Sequence, residues 1–169
     1  QDSEKMRIED FHVINEVVVD RGSSPYSLQL EIYFDGNYMT TLIGDGLIIS
    51  TPNGSTAYNL SAGGSIVQSN CSCICLTPMA PHSLSFRPLI VPLNTTITLR
   101  KPQDNRNSAW VSLDGATRFE LGENDEFEIK ASDSCISMVV EPSDNLTDLW
   151  GQRLVKMLNW NERKQMKPL

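Results

Sequence analysis

The chain has 169 residues, 40% of them hydrophobic and 21% charged, which suits one domain of ordinary size with a real core. Its 14 Lys and Arg against 21 Asp and Glu leave a net charge of −7, which argues against a duplex nucleic-acid binder and against adsorption to an anionic membrane. No apolar run reaches the roughly 18 residues that a bilayer-spanning helix needs, and the opening QDSEKMRIEDF has no signal-peptide core, so a cytoplasmic protein is expected.

The first predicted strand covers Val13–Asp20, an apolar run that contains Asn15 and Glu16. An amide and a carboxylate are costly there unless both find partners, and the alternation of a strand sends them to opposite faces. Leu28, Leu30, Ile32 and Phe34 alternate with polar residues and predict a half-buried strand, followed by an Asp35-Gly36 tight turn and a strand at Tyr38–Leu42. Asp45, between Gly44 and Gly46, reads by itself as a turn residue. Leu47–Ser50 is a buried run stopped by Pro52, Asn53 and Gly54. Ser55 and Thr56 then stand where a helix N-cap belongs, before the small residues Ser61, Ala62, Gly63 and Gly64, which let another body approach closely. A helix start presents unpaired N–H groups to phosphate or another polar ligand. The residues alone leave two readings open: a capped helix packed on a sheet, or a ligand site.

Cys71, Cys73 and Cys75 enter a predicted strand at Cys73–Thr77. Alternate residues of a strand lie about 6.6–7 Å apart, too far to converge on one tetrahedral zinc, so reduced and mostly buried thiols are expected. Further strands are predicted at Pro88–Val91, Thr95–Leu99, Ala109–Leu113, Arg118–Leu121, Phe127–Ala131 and Ile136–Glu141, with a tight turn at Asp114-Gly115. His82 reads as a structural residue of a Pro-bounded loop, and Asp114 as a turn residue. A second helix is predicted from about Leu146 to Trp160, with Leu146, Leu149, Trp150, Leu154, Met157 and Leu158 on one stripe. Its N-cap is expected at Ser143–Asn145, and Arg163, Lys164 and Lys167 follow its end. Many short strands and two helices make the expected fold mainly β, a sandwich-like multi-stranded body spanning 1–169 as a single domain. No G-x-x-x-x-G-K-[ST] phosphate loop occurs.

Four segments carry a resemblance. TPNGSTAYNLSAGG, beginning at Thr51, resembles the TPTGSTAYxxSAGG signature of NAD kinases, with Asn53 where that family usually has Thr. Ile14–Gly22 resembles NEVVIDRG, Thr77–Pro88 resembles TPICPHSLSFRP, and Ala109–Gly115 resembles AWVSFDG, all in the family's order. The resemblance implies the C-terminal, dinucleotide-binding domain of an NAD kinase, which transfers the γ-phosphoryl group of ATP to the 2′-hydroxyl of the adenosine ribose of NAD(H), with Mg²⁺, to make NADP(H). It implies that Asn15 and Glu16 touch the ribose and diphosphate, and that Ser55, Thr56, Ala57, Tyr58 and Ser61 touch adenine and ribose. Asp45 then lies near the nicotinamide end, often across a subunit boundary, so a homo-oligomer is expected. No catalytic residue and no metal ligand is expected in this chain, because the family's base belongs to a GGDGT element of an N-terminal α/β domain, which Asp45 does not match. The chain alone is therefore expected to be inactive. The alternative is a non-catalytic interaction or oligomerisation module with the same fold; TPNGSTAY argues against the related lipid kinases.

Overall fold

The computed structural model describes residues 9–102, 107–137, 139 and 146–160. These fall into two compact units that divide after Asp133. The first holds ten strands: β1 (Glu16–Asp20), β2 (Leu28–Phe34), β3 (Asn37–Gly44), β4 (Gly46–Ser50), β5 (Cys73–Met79), β6 (Leu89–Pro92), β7 (Ile97–Arg100), β8 (Ala109–Leu113), β9 (Thr117–Leu121) and β10 (Glu126–Ile129). Six of them form one sheet in the order β6-β5-β4-β1-β8-β9, and four form a second in the order β10-β7-β2-β3. Every pairing is antiparallel.

The two sheets share one core, which makes the body a β-sandwich. Val17, Val19, Leu47, Ile49, Leu76 and Val111 from the larger sheet meet Leu28, Leu30, Ile32, Leu42, Ile97 and Leu99 from the smaller. The alternation in β2 is as expected, with Leu28, Leu30 and Ile32 buried between half-exposed Gln29 and Glu31. Both predicted tight turns form, with positive φ at Asp35 and Gly36 and at Asp114 and Gly115, which fits the primed turns that match strand twist. Positions 136, 137 and 139 of the strand expected at Ile136–Glu141 are not in a strand, and its other positions lie outside the described residues. All four cysteines are free; Cys73 and Cys75 are buried, whereas Cys71 and Cys135 are exposed. Burial pushes the Cys75 thiol up to about 11, so it stays a neutral, inert side chain.

Two expectations need correction. The small-residue helix is a 3-10 turn, Asn53–Thr56, followed by a single α turn, α1 (Tyr58–Ser61), and neither Ser55 nor Thr56 caps it through a side chain. Gly63, at φ +82°, ends it. The small side chains serve internal packing instead: a Cβ on Gly64 would stand 2.2 Å from Asn59 Oδ1 and 2.5 Å from Thr77 Oγ1. Buried Asn59 donates to the carbonyls of Ser55 and Ser65 and accepts from Thr77, which fastens this segment to β5. The second correction is that β1 begins at Glu16 and not at Val13, because residues 14 and 15 form a bend.

In the second unit the described helix, α2 (Leu146–Leu158), ends two residues before the expected limit, and Asn159 follows at φ +47° as a left-handed cap. Leu149, Trp150, Leu154 and Leu158 of the expected stripe are half-buried, while Met157 is exposed. The expected cap at 143–145 and the basic residues 163, 164 and 167 lie outside the described residues.

Candidate functional site

The bend ahead of β1 and the 3-10 turn after β4 come together because β1 and β4 are paired with Glu16 opposite Ser50. Asn15 and Thr51 are thereby neighbours. The Thr51 N–H donates to Asn15 O at 2.9 Å, and the Thr51 hydroxyl donates to Ile14 O at 2.7 Å while accepting the Gly54 N–H. A Cβ at position 54 would fall 2.1 Å from Asn15 O, so only glycine lets the turn come this close.

Asn15 and Glu16 do not part to opposite faces. Asn15 precedes the strand, and its Oδ1 accepts from Asn53 Nδ2 at 3.1 Å. The Glu16 carboxylate faces the backbone N–H of Tyr58, and its oxygen Oε2 is buried without a hydrogen-bond partner. Both side chains thus serve the same turn. Burial, reinforced by the charge of Asp114, raises the Glu16 carboxyl above its ordinary value of 4.5, against the opposing pull of the Tyr58 N–H. Asn53, the position where this chain departs from the family signature, supplies one of the bonds between bend and turn.

Of the remaining expected residues, Tyr58 is 43% exposed and presents its ring, Ser61 is exposed, and Thr56 and Ala57 are half-buried. Ser55 is turned inward: fully buried, its hydroxyl accepts the Val67 N–H and donates to Val67 O. It offers no side-chain group to a ligand. Asp45 lies elsewhere in the chain. Gly46 pairs with Asp20 and Ser50 with Glu16, so four residues of β1 separate Asp45's end of the strand pair from the bend, roughly 13 Å. There Asp45 pairs with Arg21 at 2.8 Å, beside a second ion pair of Arg118 with Asp20 at 2.7 Å.

Asp114 does more than its place in an Asp-Gly turn predicts. As well as shaping the β8–β9 turn, its carboxylate accepts the N–H groups of Ile14, Asn15 and Glu16. Its presence in the AWVSLDG segment was the only available signal. His82 is exposed in its loop, with Nε2 3.1 Å from the Ser27 hydroxyl. Among the described residues no group of three or more His, Cys, Asp or Glu could hold a metal ion, and no helix is long and apolar enough to cross a membrane.

A β-sandwich with a strand-entry Asn-Glu pair docked on a GST turn defines a class. Residues 14–140 match the family described as ATP-NAD kinase C-terminal domain, and the chain belongs to that family. It is 46% identical to NAD kinase 2, chloroplastic, of Arabidopsis thaliana over 94% of this chain and 16% of that protein. It is 42% identical to the NAD(+) kinase of Saccharomyces cerevisiae over 95% of this chain and 30% of that protein. The structure of yeast NADH kinase complexed with NADH superposes with a TM-score of 0.75 at 30% identity, covering 93% of this chain and 47% of that one. The NAD kinase of Archaeoglobus fulgidus in complex with ATP gives a TM-score of 0.63 at 27% identity, covering 72% of this chain and 46% of that one. The chain thus spans less than half the length of each of these relatives.

Proposed function

We propose that this chain is the dinucleotide-binding part of an NAD kinase, which moves the γ-phosphoryl group of ATP to the 2′-hydroxyl of the adenosine ribose of NAD(H) and releases NADP(H) and ADP. The observation that carries this reading is the docking of Asn15 and Glu16 on the 53–58 turn, with Glu16 Oε2 buried and unpartnered. A buried acceptor without a donor is unfavourable, and a ribose hydroxyl is a donor of the right kind. The exposed Tyr58 ring offers a flat apolar face with a polar tip for adenine and ribose, Thr56 and Ala57 border it, and the Ser61 hydroxyl lies one turn further on. Ser55, fully buried with its hydroxyl on Val67 and its backbone groups bonded to Pro52 and Asn59, supports the turn from within and touches no ligand.

Asp45 stands roughly 13 Å from this cluster, at the far end of the strand pair, and in this reading it serves the site of a second copy in a homo-oligomer. The general base and the cradle for the ATP phosphates are assigned to an N-terminal GGDG domain. Mg²⁺ would neutralise the phosphates during transfer, but the described residues provide no ligand set for it. The cytoplasmic setting expected from the sequence remains part of this reading.

Thermal melts of the chain with NAD, NADP, NADH and ATP test it. A ligand at a hundred times its Kd stabilises by about 2.7 kcal/mol, so an adenine dinucleotide should raise Tm measurably. No shift with any dinucleotide would favour the non-catalytic module. Asn15→Ala and Glu16→Ala should weaken binding more than they lower Tm; the reverse order would make the pair structural.

A further inference from the structure

We propose that Asp114 is a positioning residue of the dinucleotide site, its carboxylate curling the Ile14–Glu16 backbone so that the Asn15 and Glu16 side chains both meet the ligand-binding turn. This rests on the reading above. Three consecutive amides converge on the one carboxylate: Ile14 N–H on Oδ2 at 2.7 Å, and Asn15 and Glu16 N–H on Oδ1 at 2.8 and 2.9 Å. The Asp114 N–H returns to Glu16 O at 3.0 Å.

In an extended strand successive N–H groups point to opposite sides, so three can share an acceptor only where the chain bends into an anion-binding nest. Asp114 therefore accounts for the bend at 14 and 15, for the start of β1 at Glu16, and for the departure of Asn15 and Glu16 from strand alternation. Turn chemistry alone does not ask for aspartate, because Asn-Gly tolerates the positive φ of positions 114 and 115 equally well. The second oxygen and the charge are what the three donors use. Across the bend from Asp114, Thr51 bonds Ile14 and Asn15, Asn53 bonds Asn15, and the Glu16 carboxylate faces the Tyr58 N–H, all of them groups of the turn. A shift of the bend is passed to the orientation of Glu16 Oε2.

The test compares the intact protein with Asp114→Ala and Asp114→Asn, measuring NADP affinity by calorimetry and amide hydrogen exchange across residues 12–18. Asp114→Ala should weaken binding about tenfold or more, as expected when a binding group is misplaced by about an ångström, and should speed exchange at Ile14, Asn15 and Glu16. Asp114→Asn keeps one oxygen for two of the amides and should recover most of the affinity, with fast exchange left mainly at Ile14. If Asp114→Ala does not fold, Asp114→Asn decides: about threefold weaker binding with a freed Ile14 amide supports the proposal, by the same misplacement argument. Affinity unchanged in a folded variant overturns it and leaves the dinucleotide reading intact. A wild-type protein that binds no dinucleotide removes both.

Discussion

Glu16 and Asp114 show how two carboxylates at the same bend take opposite electrostatic characters. Burial tends to raise Asp114 as well, yet the N–H groups of Ile14, Glu16 and Asn15 outweigh it and hold that carboxyl below 3.8. Glu16 has only the pull of the Tyr58 N–H against its burial and the charge of Asp114, and its carboxyl rises above 4.5. The folded state therefore binds the Glu16 proton more tightly than the unfolded chain does, and stability falls as pH rises upward from 4.5 through the folded value. Asp114 works the other way: its contribution is complete above 3.8 and is lost as pH falls below that. Glu16→Gln keeps an oxygen for the Tyr58 N–H without the charge. Its stability advantage over the wild type should appear as pH climbs above 4.5, while dinucleotide affinity drops. Thermal melts across pH check the first part, and an advantage confined to acid pH would contradict the assigned shift.

At the scale of elements, the segment after β4 holds its shape through two glycines and one buried amide. Gly54→Ala places a methyl 2.1 Å from the Asn15 carbonyl oxygen, against backbone that cannot swing aside. The expected outcome is about 1–3 kcal/mol of lost stability, together with weakened dinucleotide binding as the turn backs away from the bend. Gly36→Ala is the contrasting case. It meets nothing within 4 Å but sits at φ +78°, so it should cost about 1 kcal/mol and leave affinity alone. Chemical denaturation beside calorimetric titration separates the two. Asn59→Ala removes the donor to Ser55 and Ser65 and strands Thr77, so a loss on the order of 3 kcal/mol is expected from denaturant unfolding.

At the scale of the whole molecule, the sandwich sets the Asn15–Glu16 bend and Asp45 at opposite ends of one strand pair. The Arg21–Asp45 pair is 34% and 48% exposed, and breaking such a pair costs between about 0 and 1 kcal/mol. An affinity loss in Asp45→Ala would therefore report ligand contact rather than unfolding. In the proposed arrangement that loss appears only in the assembled oligomer, and mixing Asp45→Ala subunits with Glu16→Ala subunits restores part of the binding by bringing one intact pairing together. Light scattering and titration of the mixture check this; full affinity in a monomeric Asp45→Ala protein would exclude the role. A protein of these residues alone should bind NADP without phosphorylating NAD, and sustained turnover by it would overturn the assignment of the base to another domain.

Most strand positions, both Asp-Gly turns and the mainly β class were legible in the sequence because each rests on local periodicity or on backbone preferences of single residues, as in Leu28–Phe34 and Ala109–Leu113; the start of β1 and the strand expected at Ile136–Glu141 were not. The turn after β4 was not legible because small residues suit both a close-packed helix and a turn wedged against β5, and the buried Asn59 bonds that distinguish them join distant segments. The chain order of motifs brought Asn15, Glu16 and Tyr58 into one hypothesis. Their meeting depended on the β1–β4 register, which sets Glu16 opposite Ser50, thirty-four positions away, and the bend that aims them depended on Asp114, ninety-eight positions from Glu16. Local pattern specifies elements through neighbours along the chain; the site is made by hydrogen bonds between distant segments, which exist only once the sheet has closed.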